Sequence, residues 1–152
     1  MIGLSMETLV SELWLPQKRE RVFSFFANAK NLQTITPPWL DFQIANAGPI
    51  EMKVGAYIQY RLKVHGIPLG WTSEITAWNP PSRFVDEQRN GPYRTWIHEH
   101  TFEEKDGGTL IRDNVQYAAP GGKLIEWLFV GREVKRIFDF RSKKLRELFG
   151  NS

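Results

Sequence analysis

The chain contains no cysteine, and that absence removes disulfide bonds, thiolate catalysis and zinc–thiolate sites together. It also lacks any run near the roughly 18 consecutive apolar residues that a spanning helix needs. The start, Met1 to Val10, has no basic segment followed by an apolar stretch. These absences suit a protein kept in the reducing cytoplasm of the cell that makes it. No phosphate-binding glycine loop, dinucleotide fingerprint or serine-nucleophile motif occurs, because Gly107-Gly108 and Gly121-Gly122 belong to turns. No cofactor is therefore expected.

Net positive charge is confined to one segment. Lys123 to Phe149 holds eight basic and four acidic residues, so it carries +4, whereas the whole chain carries +3. Nucleic-acid proteins spread their basic residues over a face shared by several elements, with exposed aromatics between them. The first 122 residues show no such pattern, and no nucleic-acid partner is expected. The basic residues Arg132, Lys135, Arg136, Lys143 and Lys144 read as the solvated face of a last helix, or as a face for transient contact with anionic lipid.

What the chain does have is length and apolar mass for one domain spanning 1–152, with 41% hydrophobic and 13% aromatic residues among 152. Glu7 to Leu15 alternates and stops at Pro16, as a strand does. Gln17 to Ala29 and Asn31 to Ile35 predict two short helices before Thr36-Pro37-Pro38, and Trp39 to Ala45 predicts a strand. Clean alternation follows from Ala56 to His65, with Ile58, Tyr60, Leu62 and Val64 on one face. A turn at Gly66 to Pro68 leads into Leu69 to Trp78, where Leu69, Trp71, Ile75 and Ala77 share a parity. Phe84 to Gln88, Tyr93 to Glu103 and Thr109 to Tyr117 continue the meander. After Pro120-Gly121-Gly122, apolar residues at Leu124, Trp127, Leu128, Val134, Ile137, Phe138, Leu145 and Leu148 predict a helix nearly 40 Å long, at about 1.5 Å per residue. One strand, two helices, six strands and one helix make an α+β domain with helices against one face of an antiparallel sheet.

Residues opposite one another on paired strands share a face, so the hairpins specify a lining. Placing Glu104 opposite Thr109 pairs Phe102 with Ile111, His100 with Asp113, His98 with Val115 and Trp96 with Tyr117. Placing Arg89 opposite Tyr93 sets Asp86 against Trp96 and Phe84 against His98. The inner face then combines large apolar groups with Asp86, His98, His100 and Asp113. Such a mixture suits a pocket, whose apolar walls supply affinity while a few polar groups orient the ligand. It equally suits a buried His–Asp pair that only holds the register, or a histidine tuned for proton transfer. The candidate ligand-binding residues are Tyr60, Trp71, Phe84, Asp86, Trp96, His98, His100, Asp113, Tyr117 and Phe138. The candidates for catalysis are His98, His100 and Asp113. His98 and His100 share one side of a strand and could ligate a metal with Asp113, but Trp96 and Phe102 on either side do not favour a wet coordination site, so no metal is expected. Glu99 should face outward.

Several runs carry a resemblance: Leu15-Pro16, Asn31-Leu32, Ile35-Thr36-Pro37-Pro38-Trp39-Leu40, Gly66-Ile67-Pro68, Phe84-Val85-Asp86-Glu87-Gln88, Gly91-Pro92-Tyr93, Trp96-Ile97-His98-Glu99-His100 and Ile137-Phe138. On these, residues 7 to 149 resemble the START/polyketide cyclase/Bet v 1-like (SRPBCC) helix-grip superfamily, in particular its small bacterial cyclase/dehydrase-like or coenzyme Q-binding-like members. The resemblance implies a curved sheet of about seven strands (β-α-α-β6-α) gripping the last helix. It also implies a cavity for a lipid, polyketide, quinone or similar small hydrophobic or amphipathic molecule. It implies no particular reaction, because carriers, sensors and cyclase/dehydratase-type enzymes share the scaffold.

Overall fold

The computed structural model describes residues 6–118 and 132–151. Among these residues seven antiparallel strands form one sheet in the order β1-β7-β6-β5-β4-β3-β2. They are β1 (Glu7–Leu15), β2 (Gln43–Ile44), β3 (Tyr57–Val64), β4 (Ile67–Asn79), β5 (Arg83–Asn90), β6 (Thr95–Lys105) and β7 (Gly108–Ala118). Hairpins place each strand from β3 to β7 beside its predecessor, and β1 closes the far edge against β7. Between β1 and β2 lie α1 (Arg19–Phe26), α2 (Asn31–Thr34) and a 3-10 turn at Pro38–Leu40. The C-terminal helix, α3, runs from Arg132 to Phe149. This is the α+β arrangement expected from the element order, with the seven strands that the family resemblance implies.

Two apolar clusters fill the inner side. At one end α1 presents Val22, Phe23 and Phe26, adjacent on one helical face, to Leu15, Phe84, Phe102, Ile111 and Leu145. Phe23 and Phe26 meet Phe102 at ring-centroid distances of 5.1 and 5.2 Å in edge-to-face contacts, the geometry that aromatic quadrupoles favour. At the other end Leu40, Leu62, Val64, Trp71, Tyr93, Val115 and Tyr117 gather around Val134 and Phe138 of α3.

Several boundaries differ from the sequence pattern. Trp39 to Ala45 is no continuous strand: Pro38 opens a 3-10 turn, and Asp41 then takes a left-handed conformation (φ 46°), leaving only Gln43–Ile44 extended. The β3–β4 turn is His65-Gly66, both left-handed (φ 50° and 79°), with Val64 paired to Ile67, so Ile67 and Pro68 belong to β4. A bulge between Ile75 and Ala77 reverses the parity there. Trp78, rather than Ala77, consequently meets Phe23 and Phe84, at 5.2 and 5.5 Å. On α3, Phe149 is buried and Leu148 is exposed. The expected turn at 120–122 and helical residues 124–131 lie outside the described residues.

Candidate functional site

A cavity of about 180 Å³ lies between the sheet's inner face and α3. Tyr60, Trp71, Phe84, Asp86, Trp96, His98, His100 and Phe138 all line it, as the sequence pattern anticipated. Tyr117 does not; it is buried behind the wall, packed on Tyr93 and Trp96 at 5.9 Å each. Asp113 does not line the cavity either, and lies beneath the two imidazoles.

The β6–β7 register is the expected one in every pair from Trp96–Tyr117 to Glu104–Thr109. The β5–β6 register differs by two residues: Asp86 faces His98 and Phe84 faces His100. The cause is local. Gln88 bridges the loop, its side-chain amide donating to the Tyr93 carbonyl and its side-chain oxygen accepting the Tyr93 N–H. Gly91 makes room for this, because a Cβ there would stand 2.5 Å from the Gln88 side-chain oxygen. An even shift keeps every side chain on its own face, and Asp86 is thereby brought against both histidines.

The cavity floor is a bonded layer. His98 Nε2 donates to Asp113 Oδ1 at 2.8 Å. Arg141 Nη2 donates to the same oxygen at 2.9 Å and to His100 Nδ1 at 3.3 Å. His100 Nε2–H is then the donor to Asp86 Oδ2 at 2.7 Å. The imidazoles stack on one another with centroids 3.6 Å apart, and the Phe84 ring stacks on His100 at 3.9 Å. The guanidinium of Arg141 lies over Phe26 and Phe138, at 5.1 and 5.5 Å.

Burial and the neighbouring His100 push the His98 imidazole down to about 4, against the opposing pull of Asp113 and Asp86. His98 is therefore neutral at pH 7, with Nδ1 unprotonated. Burial opposes ionisation of Asp113, yet the Arg141 charge and the contacts with His100 and His98 hold it well below the usual carboxylate range. Burial likewise opposes ionisation of Asp86, and the bond from His100 with the charges around it holds that carboxyl low as well. In these tautomers two carboxylates face one guanidinium, so the floor holds one negative charge in excess.

A second polar strip crosses the aromatic wall. Ser73 Oγ accepts Trp71 Nε1–H at 3.0 Å and shares a hydrogen bond with the Tyr60 hydroxyl at 3.1 Å. Burial, with the Asp86 charge, raises the Tyr60 phenol far above its usual range. Ser73, Arg141 and Glu133 are among the lining residues absent from the sequence-based candidates. Ser73 stands on the inward parity of β4 between Trp71 and Ile75. Arg141 was read as one more basic residue, although it lies three residues after Phe138 and four before Leu145, on the apolar stripe. Glu133, one turn before Ile137, lines the cavity and receives His65 Nε2 at 3.3 Å and Arg136 at 3.6 Å. Glu99 faces outward as expected, paired with Arg83 at 2.7 Å.

The family model for "Polyketide cyclase / dehydrase and lipid transport" matches residues 15–142. The chain belongs to this family. Solved structures agree with that membership at the level of fold. Protein CV1439 from Chromobacterium violaceum is 16% identical with a TM-score of 0.75, over 95% of this chain and 98% of that one. Ginseng major latex-like protein 151 from Panax ginseng is 13% identical with a TM-score of 0.71, over 97% and 99%. Protein Ms6760 from Mycobacterium smegmatis is 18% identical with a TM-score of 0.70, over 97% and 96%. No curated protein matches the chain by sequence. Members of the polyketide cyclase/dehydrase and lipid-transport family typically bind hydrophobic ligands, and among the described residues no helix is long and apolar enough to cross a membrane.

Proposed function

We propose that the chain binds a small amphipathic molecule in this cavity, as a cytoplasmic carrier or sensor. The observation that supports this reading is a cavity walled by Ile58, Leu62, Trp71 and Phe138 above a floor of Asp86, His98, His100 and Arg141. Apolar walls supply affinity, and the floor orients a polar end. An engineered apolar cavity of about 150 Å³ holds benzene, so this one takes a ring-sized group, of a quinone, polyketide or lipid fragment. Native mass spectrometry of the protein purified from its own host, followed by extraction, should reveal one bound small molecule. Protein that carries none, and that admits no small aromatic probe such as 2-naphthol, would defeat the reading.

A specific feature favours a second reading, a cyclase/dehydratase-type enzyme. His98, buried, keeps Nδ1 unprotonated beside Asp86, the arrangement of a base able to take a proton from a bound molecule. Incubation of the extracted molecule's precursors with His98→Gln should then give no turnover; undiminished turnover removes His98 from that role. Exchange of cargo at an anionic surface would use Lys135, Arg136, Lys143 and Lys144 with exposed Trp39, whose ring lies under the Arg136 guanidinium at 4.4 Å.

A further inference from the structure

Asp86, His98 and His100 each offer one ligand-type atom, and those three atoms lie within 4.8 Å of one another. His100 Nε2 is 2.7 Å and His98 Nδ1 3.9 Å from the same oxygen, Asp86 Oδ2. The opposite ring nitrogens converge on another carboxylate. Asp113 Oδ1 lies 2.8 Å from His98 Nε2 and 3.4 Å from His100 Nδ1. Histidines that hold a metal ordinarily give their other N–H to a carboxylate, which fixes the ring and raises its basicity. Asp113 stands in that position for both rings at once, with Arg141 at 2.9 Å balancing its charge.

We propose that Asp86 Oδ2, His98 Nδ1 and His100 Nε2 form a binding site for one first-row divalent cation of the Zn2+ and Fe2+ class, with its remaining coordination positions open to the cavity. Two imidazoles and one carboxylate suit these ions better than Mg2+ or Ca2+, which take all-oxygen sets. Loading requires two linked changes: the His100 proton moves from Nε2 to Nδ1, facing Asp113 Oδ1 at 3.4 Å, and Arg141 Nη2–H gives up its contact with Nδ1 while keeping its bond to Asp113. The ion replaces the floor's excess negative charge with a positive one. A cavity ligand would then present a carbonyl, carboxylate or enolate oxygen to the floor. The sequence pattern put Asp113 among the ligands and found the surroundings too apolar. The fold instead places Asp113 behind the imidazoles and brings Asp86, from the neighbouring strand, to the cavity side. The site stands independently of the amphipathic-ligand reading, since a metal can be absent from a cavity that still binds its molecule.

The test uses the full chain without a histidine tag, stripped with chelator and titrated with Zn2+ alone and with Co2+ alone. Calorimetry should show one equivalent bound. Zn2+ should shift the ring nitrogen resonances of His98 and His100 and leave His65, the third histidine of the chain, unmoved. Asp86→Asn, which keeps the shape of the carboxylate, should abolish uptake. Asp113→Asn should weaken it about 10- to 100-fold, as loss of a supporting carboxylate does. No stoichiometric uptake by the wild-type chain, a response at His65 alone, or undiminished binding in Asp86→Asn would each overturn the proposal. The wild-type resonances decide the matter even where a variant fails to fold.

Discussion

Phe102 and His98 lie on the same inward row of β6, on either side of His100, and are almost equally buried at 2% and 5% exposure. Their surroundings nevertheless differ in kind. Phe102 meets rings from α1, which fill the space before it. His98 faces α3, whose Phe138 approaches only edge-on at 5.5 Å, and the space left over is the cavity. Strand alternation buries a side chain. What packs opposite decides whether burial yields a core or a site.

The sharpest way to break that contrast is to cut at its dry end. Phe102→Ala should cost about 3–5 kcal/mol, the usual range for a core phenylalanine, and lower Tm by on the order of 10 °C for a domain of this size. Affinity for 2-naphthol, read by its fluorescence, should stay unchanged; an equal loss of affinity would show the two ends to be one. Arg141→Met acts at the other end. It leaves Asp113 buried without its guanidinium, a change that costs about 3 kcal/mol, and affinity for the probe should fall with stability in the same denaturation and fluorescence measurements.

Acid separates the ends without mutation. The His98 imidazole titrates at about 4 when folded against a model value of 6.5, so between those values the unfolded chain binds more protons. The stability this histidine contributes is complete above about pH 6.5 and is lost as pH falls toward 4, with a slope approaching 1.4 kcal/mol per pH unit per proton. Urea unfolding in chelator from pH 7 to 4.5 should show that slope in the wild-type chain and lose it in His98→Gln. Below that window the depressed carboxyls Asp86 and Asp113 surrender their contribution in turn.

Smaller effects refine the lining. Ser73→Ala deprives Trp71 Nε1 of its acceptor and Tyr60 of a partner. It should cost about 1–2 kcal/mol and weaken 2-naphthol binding, which calorimetry and fluorescence can separate. Charge reversal at exposed Lys143 should change stability by less than about 0.5 kcal/mol. Vesicle sedimentation would then show weaker, salt-sensitive binding to anionic lipid, and no change at all would remove α3 from membrane exchange.

Much of the site was legible because two features act locally. The Asp106-Gly107 turn, both residues left-handed, sets the β6–β7 register (φ 50° and 75°). The period of two then carries Trp96, His98, His100 and Phe102 inward. Glu7–Leu15 is likewise bounded by its own Pro16. Where a loop contact, a bulge or a left-handed residue interrupts alternation, the pattern fails. Gln88 and Gly91 reshape the β5–β6 loop, the bulge after Ile75 turns Trp78 inward, and Asp41 breaks the strand expected around Phe42.

The sequence by itself determined the element order, the inward faces and the concentration of charge in the last helix, because alternation, helical spacing and turn chemistry depend only on near neighbours. Only the tertiary structure decided which charge goes inside. Arg141 is buried although its type is usually solvated, since the Asp113 carboxylate of β7 meets it at 2.9 Å, and desolvating a guanidinium is tolerable only against such a partner. The same through-space neutralisation puts Asp113 behind the imidazoles and leaves Asp86 at the cavity, a division of labour that no spacing along the chain encodes.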